Sequence, residues 1–207
     1  MNTKEILEKL KIEQPNAGCE LNFTTPFELL VAVILSAQCT DKRVNMATDK
    51  LFKVYNTAKQ FAELSLDELA PYIFSCGFYN NKGKNIIAMA KELVEKYDGE
   101  VPCDFDKLVK LAGVGRKTAS VVMTVAFDEP AMPVDTHVFR VSRRLGLSKG
   151  NTPEKVEQDL CKVYPREDWN SLHHTMIFHG RYICHSQRPE CDKCLVKEYC
   201  IYEKDKK

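Results

Sequence analysis

The sequence predicts an all-α protein. Helix signals recur along nearly all of the 207 residues, while alternation of apolar and polar residues with period two is absent from any run long enough for a strand. Residues that favour helix N-caps precede many of these segments. The composition, with 44% hydrophobic and 29% charged residues, is that of a globular chain and argues against disorder or a fibrous repeat. A chain of this length can bury one substantial core or two small ones.

The first half of the chain contains well-marked helix starts. An amphipathic helix is expected from Thr3 to Lys11. Thr25-Pro26-Phe27-Glu28 supplies an N-cap, a proline at the first helical position and a capping-box glutamate. The segment that follows, FELLVAVILSAQ, is apolar on every side and therefore belongs in the middle of a domain. Further helices are predicted from Thr40 to about Tyr55, after the capping pair Thr57/Gln60, after the capping pair Ser65/Glu68 with a continuation from Pro71 to Gly77, and from Asn80 or Asn81 to Asp98-Gly99.

In the second half, the rest of the chain is expected to be organised around the stretch from Leu111 to Leu147. This stretch comprises a helix end, a glycine hairpin, a second helix, a loop with two prolines and a third helix. The proline loop, about Asp128 to Pro133, is the expected crossing point between two lobes. The remaining helices are predicted to start at the Asp104 cap, at Arg116, at the Asp135 cap, at Thr152-Pro153-Glu154 and at about Glu167, the last ending near Ile183.

The glycine hairpin carries the first functional signal. Gly113 and Gly115 flank Val114, and glycines so close together allow positive φ and a close backbone approach to a ligand. The helix that follows leaves its first amides unpaired, which makes a ready anion site. Lys117 lies in that first turn, where its charge opposes the helix dipole, and this invites a functional interpretation. The alternative is that Lys117 is simply solvated.

Asp135 follows Pro133-Val134 and precedes the apolar run VFRVSRRLGL, which makes it a good N-cap. A capping role alone is the alternative to a functional one.

The charges are unevenly placed, although the formal net charge is only +1. Residues Lys107 to Pro153 carry eight basic and three acidic side chains, a net of +5, and Asn80 to Lys91 adds three lysines and no acid. Acidic residues collect at Glu63 to Glu68 and at Glu154 to Asp168. This pattern predicts a basic face suited to nucleic acid and an acidic back. The alternative is that these charges lie on several separate solvated helix faces and do not form one surface.

Four of the nine cysteines, Cys184, Cys191, Cys194 and Cys200, are separated by six, two and five residues. Such density indicates a metal site, because thiolates select zinc or iron-sulfur clusters. The single Cys-x-x-Cys knuckle favours an iron-sulfur cluster without excluding zinc. The other cysteines show no grouping and are expected to pack ordinarily.

The N-terminus has no apolar signal region, and no stretch approaches the ~18 to 20 apolar residues of a membrane span. We therefore expect a cytoplasmic protein with no membrane association. Monomer is the default expectation, since no coiled-coil heptads are present.

The sequence resembles the endonuclease III family of DNA glycosylases, within the helix-hairpin-helix superfamily. The motifs fall in family order: LSAQCTD at Leu35 to Asp41, GFYNNKGKNI at Gly77 to Ile86, LAGVGRKTA at Leu111 to Ala119, VDTHVFRV at Val134 to Val141, and the cysteine spacing.

The resemblance implies a two-lobed helix-hairpin-helix glycosylase fold. A six-helix barrel domain would span residues 20–130, and an iron-sulfur cluster domain would combine residues 1–19 and 131–207. It also implies a [4Fe-4S] cluster on the four cysteines, and duplex DNA with damaged pyrimidines or abasic sites as the partner. Binding to DNA would associate the protein with the nucleoid.

The activity implied is that of a bifunctional glycosylase and AP lyase for oxidised pyrimidines in base excision repair. Lys117 matches the nucleophile, and Asp135 matches the aspartate that assists it. Adenine-specific relatives lack the lysine and carry a catalytic Glu in the early helix, which LSAQCTD does not contain. The rival functions are a monofunctional glycosylase for another base and a non-catalytic iron-sulfur protein that only binds DNA.

The resemblance also implies DNA contacts. Gln38 matches the residue that fills the gap left by the flipped base, and Phe78 stands where a leucine wedge is common. Ala112 replaces the usual proline before the hairpin, which puts the stiffness of the hairpin in doubt. The full set of expected DNA-binding residues is Gln38, Phe78, Gly113, Val114, Gly115, His137, Arg140 and Arg143.

Overall fold

The computed structural model of the protein describes residues 2–204, and the regular structure in this range is entirely helical. The all-α prediction is confirmed. The α-helices are α1 (Thr3–Glu13), α2 (Pro26–Ser36), α3 (Asp41–Leu51), α4 (Ala58–Glu63), α5 (Leu66–Ile73), α6 (Tyr79–Tyr97), α7 (Phe105–Leu108), α8 (Arg116–Ala126), α9 (Thr136–Arg144), α10 (Pro153–Val163), α11 (Trp169–Tyr182) and α12 (Ile201–Lys204). Short 3-10 helices cover Phe74–Cys76, Arg166–Asp168 and Lys197–Tyr199.

The chain divides into two compact units. The middle unit is Glu20–Glu129, and the terminal unit combines the residues up to Cys19 with those from Pro130 onward. Each unit has its own cluster of buried apolar side chains. None of the described helices combines the length and hydrophobicity that crossing a membrane would need.

The middle unit is built around α2. Its residues Leu29 to Ala32 have no accessible surface, as expected for a helix that is apolar on every side. Helices α3, α6 and α8 pack against it. Helix α6 in turn packs against α4 and α5. In the terminal unit, α11 packs against both α1 and α9, so the first helix of the chain is anchored to the last third.

The predicted helix caps are present in the structure. The hydroxyls of Thr25, Thr57, Ser65 and Thr152 each accept a hydrogen bond from the backbone amide three residues later. Each such cap contributes about 1 kcal/mol to stability. Some boundaries differ from prediction. The predicted Pro71 to Gly77 helix divides into the end of α5 and a 3-10 turn, and α6 starts at Tyr79, because left-handed Phe78 cannot continue a helix.

Lys82 is not part of a basic surface, contrary to the prediction from charge. It is 7% exposed, and its Nζ donates to the carbonyl oxygens of Leu35 and Cys76 at 2.8 Å each. The Leu35 carbonyl lies in the last turn of α2 and therefore has no partner within the helix. A buried amine satisfies this carbonyl and complements the negative end of the helix dipole.

Candidate active site and cysteine cluster

Val114 anchors the hairpin between α7 and α8. Its side chain is 5% exposed, and its backbone amide donates to the Leu111 carbonyl. Gly113 has φ +74°, and a Cβ there would lie 2.7 Å from the Cβ of Asn85. Only glycine fits this position. Of the two glycines that allow positive φ, only Gly113 adopts it, since the φ of Gly115 is −86°.

Lys117 is exposed in the first turn of α8. No side chain caps this helix, and its first turn contains no acidic residue. The guanidinium of Arg116 lies over the Phe105 ring, 5.0 Å from its centroid. The start of α8 therefore presents backbone amides and a primary amine on the surface, an arrangement that attracts anions.

Asp135 caps α9, as predicted. Its Oδ1 accepts hydrogen bonds from the amides of His137 (2.9 Å) and Val138 (2.8 Å), and the side chain is half-buried. Both capping bonds use one oxygen. No described hydrogen bond engages its Oδ2.

His137 and Arg140, on consecutive turns of α9, face the end of α11. Arg140 donates through Nε to the Cys184 carbonyl (3.0 Å) and through Nη2 to the Gly180 carbonyl (2.9 Å). These bonds favour a structural role for Arg140 over the predicted DNA contact. Arg140 Nη2 also lies 3.2 Å from His137 Nδ1. If this contact is a hydrogen bond, arginine donates and Nδ1 accepts, which requires the His137 tautomer with its proton on Nε2. Burial lowers the pKa of His137, which agrees with a neutral ring.

Arg143 is exposed, with its guanidinium 5.5 Å from the Phe139 ring centroid. It is free of the internal carbonyl bonds that occupy Arg140.

Gln38 and Phe78 are both exposed, and both have left-handed backbones, with φ of 55° and 48°. Phe78 is 67% exposed, which rules out a role as a core aromatic. A bulky residue with positive φ is a conformational outlier, and such strain concentrates at functional sites. The Lys82 amine donates to the Leu35 carbonyl, three residues before Gln38, and to the Cys76 carbonyl, two residues before Phe78.

The four cysteines of the C-terminal group line one cavity in the terminal unit. Arg144 closes one side of it, donating to Cys184 Sγ (3.3 Å), to the His185 carbonyl (2.7 Å) and to the Ser186 carbonyl (3.0 Å). Arg144 belonged to the predicted basic face, but these bonds tie it to the cysteine loop. Among the described residues, no three of the four sulfurs lie within 4.8 Å of one another.

Glu13 and His179 form a buried ion pair beside the cysteines, which sequence reasoning missed. Glu13 Oε2 accepts from His179 Nδ1, and Glu13 Oε1 accepts from the Leu195 amide at 2.9 Å. His179 Nε2 lies 4.0 Å from Cys194 Sγ. Burial opposes the charged form of His179, but hydrogen bonds to Cys184, Cys194 and Glu13 raise its pKa to about 11.

We expect Glu13→Gln to lower the free energy of unfolding by about 3 kcal/mol, since removing one partner of a buried pair leaves the other charge uncompensated. Glutamine has one acceptor oxygen, which can keep the bond from the Leu195 amide, but its NH2 group then faces His179 Nδ1, so the change removes the charge and the acceptor for His179 together. Equilibrium denaturation measures the effect, with Glu8→Gln, exposed on the same helix, as the control. Equal stability of the two variants would contradict an ionic Glu13.

Comparison with known proteins gives consistent results. A family profile described as "HhH-GPD superfamily base excision DNA repair protein" matches residues 31–166. A protein named Endonuclease III from Rickettsia felis is 50% identical over 198 residues, covering 96% of this chain and 93% of the relative.

Two solved structures also match at 47% identity and TM-score 0.93. One, described as "Structure of a non-covalent Endonuclease III-DNA Complex", covers 99% of this chain and 96% of its own. The other, described as "Structure of a Trapped Endonuclease III-DNA Covalent Intermediate: Estranged-Adenine Complex", covers 100% and 99%. The resemblance and the predicted glycosylase fold are confirmed. The chain therefore belongs to the endonuclease III family, within the HhH-GPD superfamily of base excision DNA repair proteins.

Proposed function

We infer that this chain is a bifunctional DNA glycosylase and AP lyase, which removes oxidised pyrimidines from duplex DNA and cleaves the strand. The observation that carries the mechanism is the exposed amine of Lys117, in the uncapped first turn of α8 directly after the hairpin. An amine placed against the helix dipole is poorly explained by stability. A 47% identical relative has been trapped as a covalent DNA intermediate, which supports a covalent step here.

The chemistry follows from what a lysine amine can do. The target nucleotide is first extruded from the duplex, because C1′ is inaccessible inside the stack. The neutral amine of Lys117 attacks C1′, a C–N bond forms and the bond to the base breaks, with the base leaving protonated. Opening of the sugar ring gives a Schiff base, which acidifies the C2′ proton. Loss of that proton breaks the C3′–O bond, and water then hydrolyses the Schiff base to release Lys117.

Asp135 is proposed to act electrostatically. Its carboxylate would stabilise positive charge that develops on the sugar as the base leaves, and would help deprotonate the nucleophilic amine. The capping bonds to His137 and Val138 amides hold the carboxylate in place while using only Oδ1.

A gel assay on a duplex with one abasic site tests the proposal directly. Strand cleavage is expected. Its absence would favour one of the rival functions, and release of base from a duplex with an oxidised pyrimidine would then separate a monofunctional glycosylase from a non-catalytic binder.

The hairpin residues Gly113, Val114 and Gly115 are proposed to hold a DNA phosphate through backbone amides. Gln38 is proposed to fill the space left by the extruded nucleotide, with Phe78 as the wedge beside it. His137 would donate from Nε2 to a phosphate, and Arg143 would contact the backbone. Arg140 would contribute to DNA binding only indirectly, because its guanidinium donates to the Cys184 and Gly180 carbonyls.

DNA affinity is expected to fall steeply with salt. Each neutralised phosphate contributes about 0.9 to the slope of log affinity against log salt, so roughly four to eight contacts give a slope of about −4 to −7. Fluorescence anisotropy titrations at several salt concentrations measure it. Arg143→Ala should reduce the magnitude of the slope by about one and should weaken binding to damaged and undamaged DNA equally. An affinity that does not change with salt would contradict a basic DNA-binding surface.

The four cysteines are proposed to hold a [4Fe-4S] cluster. All four line one cavity in the terminal unit, where Arg144 donates to one sulfur. Four thiolates suit either zinc or an iron-sulfur cluster. Membership of the endonuclease III family supports the cluster. Bound there, the cluster would supply folding energy to the terminal unit.

Cys194→Ser is expected to lose iron, brown colour and thermal stability together, because one missing thiolate leaves the coordination shell incomplete. Iron analysis, visible absorbance and thermal unfolding after anaerobic purification measure this. Cys103→Ser, an exposed cysteine of the middle unit, is the control. Stoichiometric zinc without iron in the wild type would contradict the cluster assignment.

We further propose that the middle unit is the six-helix barrel domain and the terminal unit the cluster domain, and that the protein is a monomer in the cytoplasm. Analytical ultracentrifugation of the purified protein tests the oligomeric state.

A further inference from the structure

Two short segments of the middle unit hold an exposed side chain on a strained backbone. In the first, Gln38 has φ 55°, and in the second, the neighbours Gly77 and Phe78 have φ of 67° and 48°. Residues other than glycine keep such a conformation only where the surrounding structure fixes it. Each of these segments therefore needs bonds from outside its own residues.

Lys82 bonds to both segments. Its Nζ donates to the Leu35 carbonyl, three residues before Gln38, and to the Cys76 carbonyl, two residues before Phe78, at 2.8 Å each. Its backbone amide donates to the Phe78 carbonyl at 3.1 Å. Lys82 thus holds the Phe78 segment on both sides of its two left-handed residues, and the same amine joins this segment to the end of α2.

Stability alone explains this amine poorly. Lys82 is 7% exposed, and burial lowers the pKa of its amine, which reflects the cost of taking the charge out of water. Its described acceptors are neutral carbonyls rather than a carboxylate. Capping the end of α2 accounts for the bond to Leu35 alone, because Cys76 belongs to a different segment. The second bond indicates that the amine serves to join the two segments.

We propose that Lys82 is a positioning residue for base extrusion, whose amine fixes the Gln38 and Phe78 segments in one arrangement so that both side chains enter the duplex together. The proposal rests on the roles of Gln38 and Phe78 under the proposed function. The buried Lys82 side chain acts through these two residues and not on the DNA itself. Without it, each segment would be free to shift separately, and misplacing a positioning group by about 1 Å can lower a rate about a hundredfold.

The size of the loss should depend on how firmly the target nucleotide is stacked. Extrusion costs least where the base is mismatched or already unpaired, so a wedge and a gap-filling residue matter less there. Lys82→Met keeps the length of the side chain but has no donor. We expect it to slow base release at least about tenfold from a fully paired lesion duplex, and by less than about threefold when the same lesion lies in a single-nucleotide bulge.

The experiment measures single-turnover base release from these two duplexes with the intact protein. Using one preparation on both substrates separates positioning from damage to the fold, because a smaller folded fraction lowers release from both alike. Lys96→Met removes an exposed lysine of the same helix and is the matched control, which should behave like the wild type on both duplexes. Lys82→Gln keeps an NH2 donor on a shorter side chain. It should show the same preference, and it covers the case in which Lys82→Met does not fold.

A second readout needs no chemistry. 2-Aminopurine placed opposite a stable abasic-site analogue becomes more fluorescent when it loses its stacking, so it reports insertion of side chains at the gap. Lys82→Met should still bind this duplex, but with a smaller rise in fluorescence at saturation than the wild type and Lys96→Met.

Equal slowing on the paired and the bulged duplex would overturn the proposal and leave Lys82 with a role in the fold only. An unchanged rate on the paired duplex, or a wild-type rise in fluorescence with Lys82→Met, would overturn it as well. Failure of the proposed function has a different signature, because the wild type would then release base from neither duplex, whereas the fluorescence comparison would still report on Lys82.

Discussion

Lys117→Gln is expected to abolish strand cleavage and covalent trapping while DNA binding persists. Glutamine approaches the length and hydrogen-bonding capacity of lysine but has no nucleophilic electron pair, so no Schiff base can form. With wild-type protein, borohydride should reduce the Schiff base to a stable protein-DNA adduct on lesion duplex, and peptide mapping should place the link on Lys117. Because Lys117 is exposed, its replacement should leave the fold intact.

Lys110→Gln is the matched control, since Lys110 is also an exposed lysine of the same unit, close to the hairpin. It should trap and cleave like the wild type. An adduct that persists in Lys117→Gln would show that another amine, such as the N-terminus or Lys110, is the nucleophile. The hairpin and α8 would then serve only to bind DNA.

Asp135→Asn is expected to lower turnover by roughly two to three orders of magnitude, the range typical of losing one electrostatic or acid-base contribution. In this structure the substitution can remove the charge of Asp135 without removing the helix cap. Asparagine is as good an N-cap as aspartate, and its side-chain oxygen can accept from the amides of His137 and Val138. The change therefore removes charge and spares the helix start. Single-turnover kinetics, with DNA binding measured in parallel, give the effect.

Asp135→Ala separates the two roles further, because it removes the cap as well as the charge and should cost about 1 kcal/mol of stability. Equal turnover in wild type and Asp135→Asn, together with a destabilised Asp135→Ala, would reduce Asp135 to a capping residue. That is the alternative that the sequence leaves open.

Local chemistry made much of this structure predictable. The capping pair Ser65 and Glu68 lies within one turn, so its hydrogen bonds need no distant partner. Likewise Asp135 and the hairpin glycines were recognisable because turn and cap geometry depends on neighbours in the chain. The sequence marks Gly113 and Gly115 alike as conformationally free, but which of them adopts positive φ depends on the backbone path and was not predictable.

Long-range polar contacts were not predictable in this way. Glu13 reads as an ordinary charged residue at a helix end, and its partner His179 follows 166 residues later. Lys82 did leave a signal, because it shares the α6 stripe of Ile86 and Leu93, all of them buried. A lysine at that spacing among apolar residues indicates burial. Its acceptors, carbonyls of other segments, carry no mark in the sequence.

The discontinuous terminal unit has a consequence for biosynthesis. Domains generally fold as units during translation, with N-terminal segments first. Here the middle unit, Glu20–Glu129, is contiguous and can collapse on the ribosome, whereas α1 emerges before it and has its packing partner α11 only after the whole middle unit has been synthesised. Helix α1 alone is 11 residues long, too short to be stable in water. A nascent chain stalled before Trp169 would therefore expose Ile6, Leu7 and Leu10, a surface that chaperones would be expected to bind.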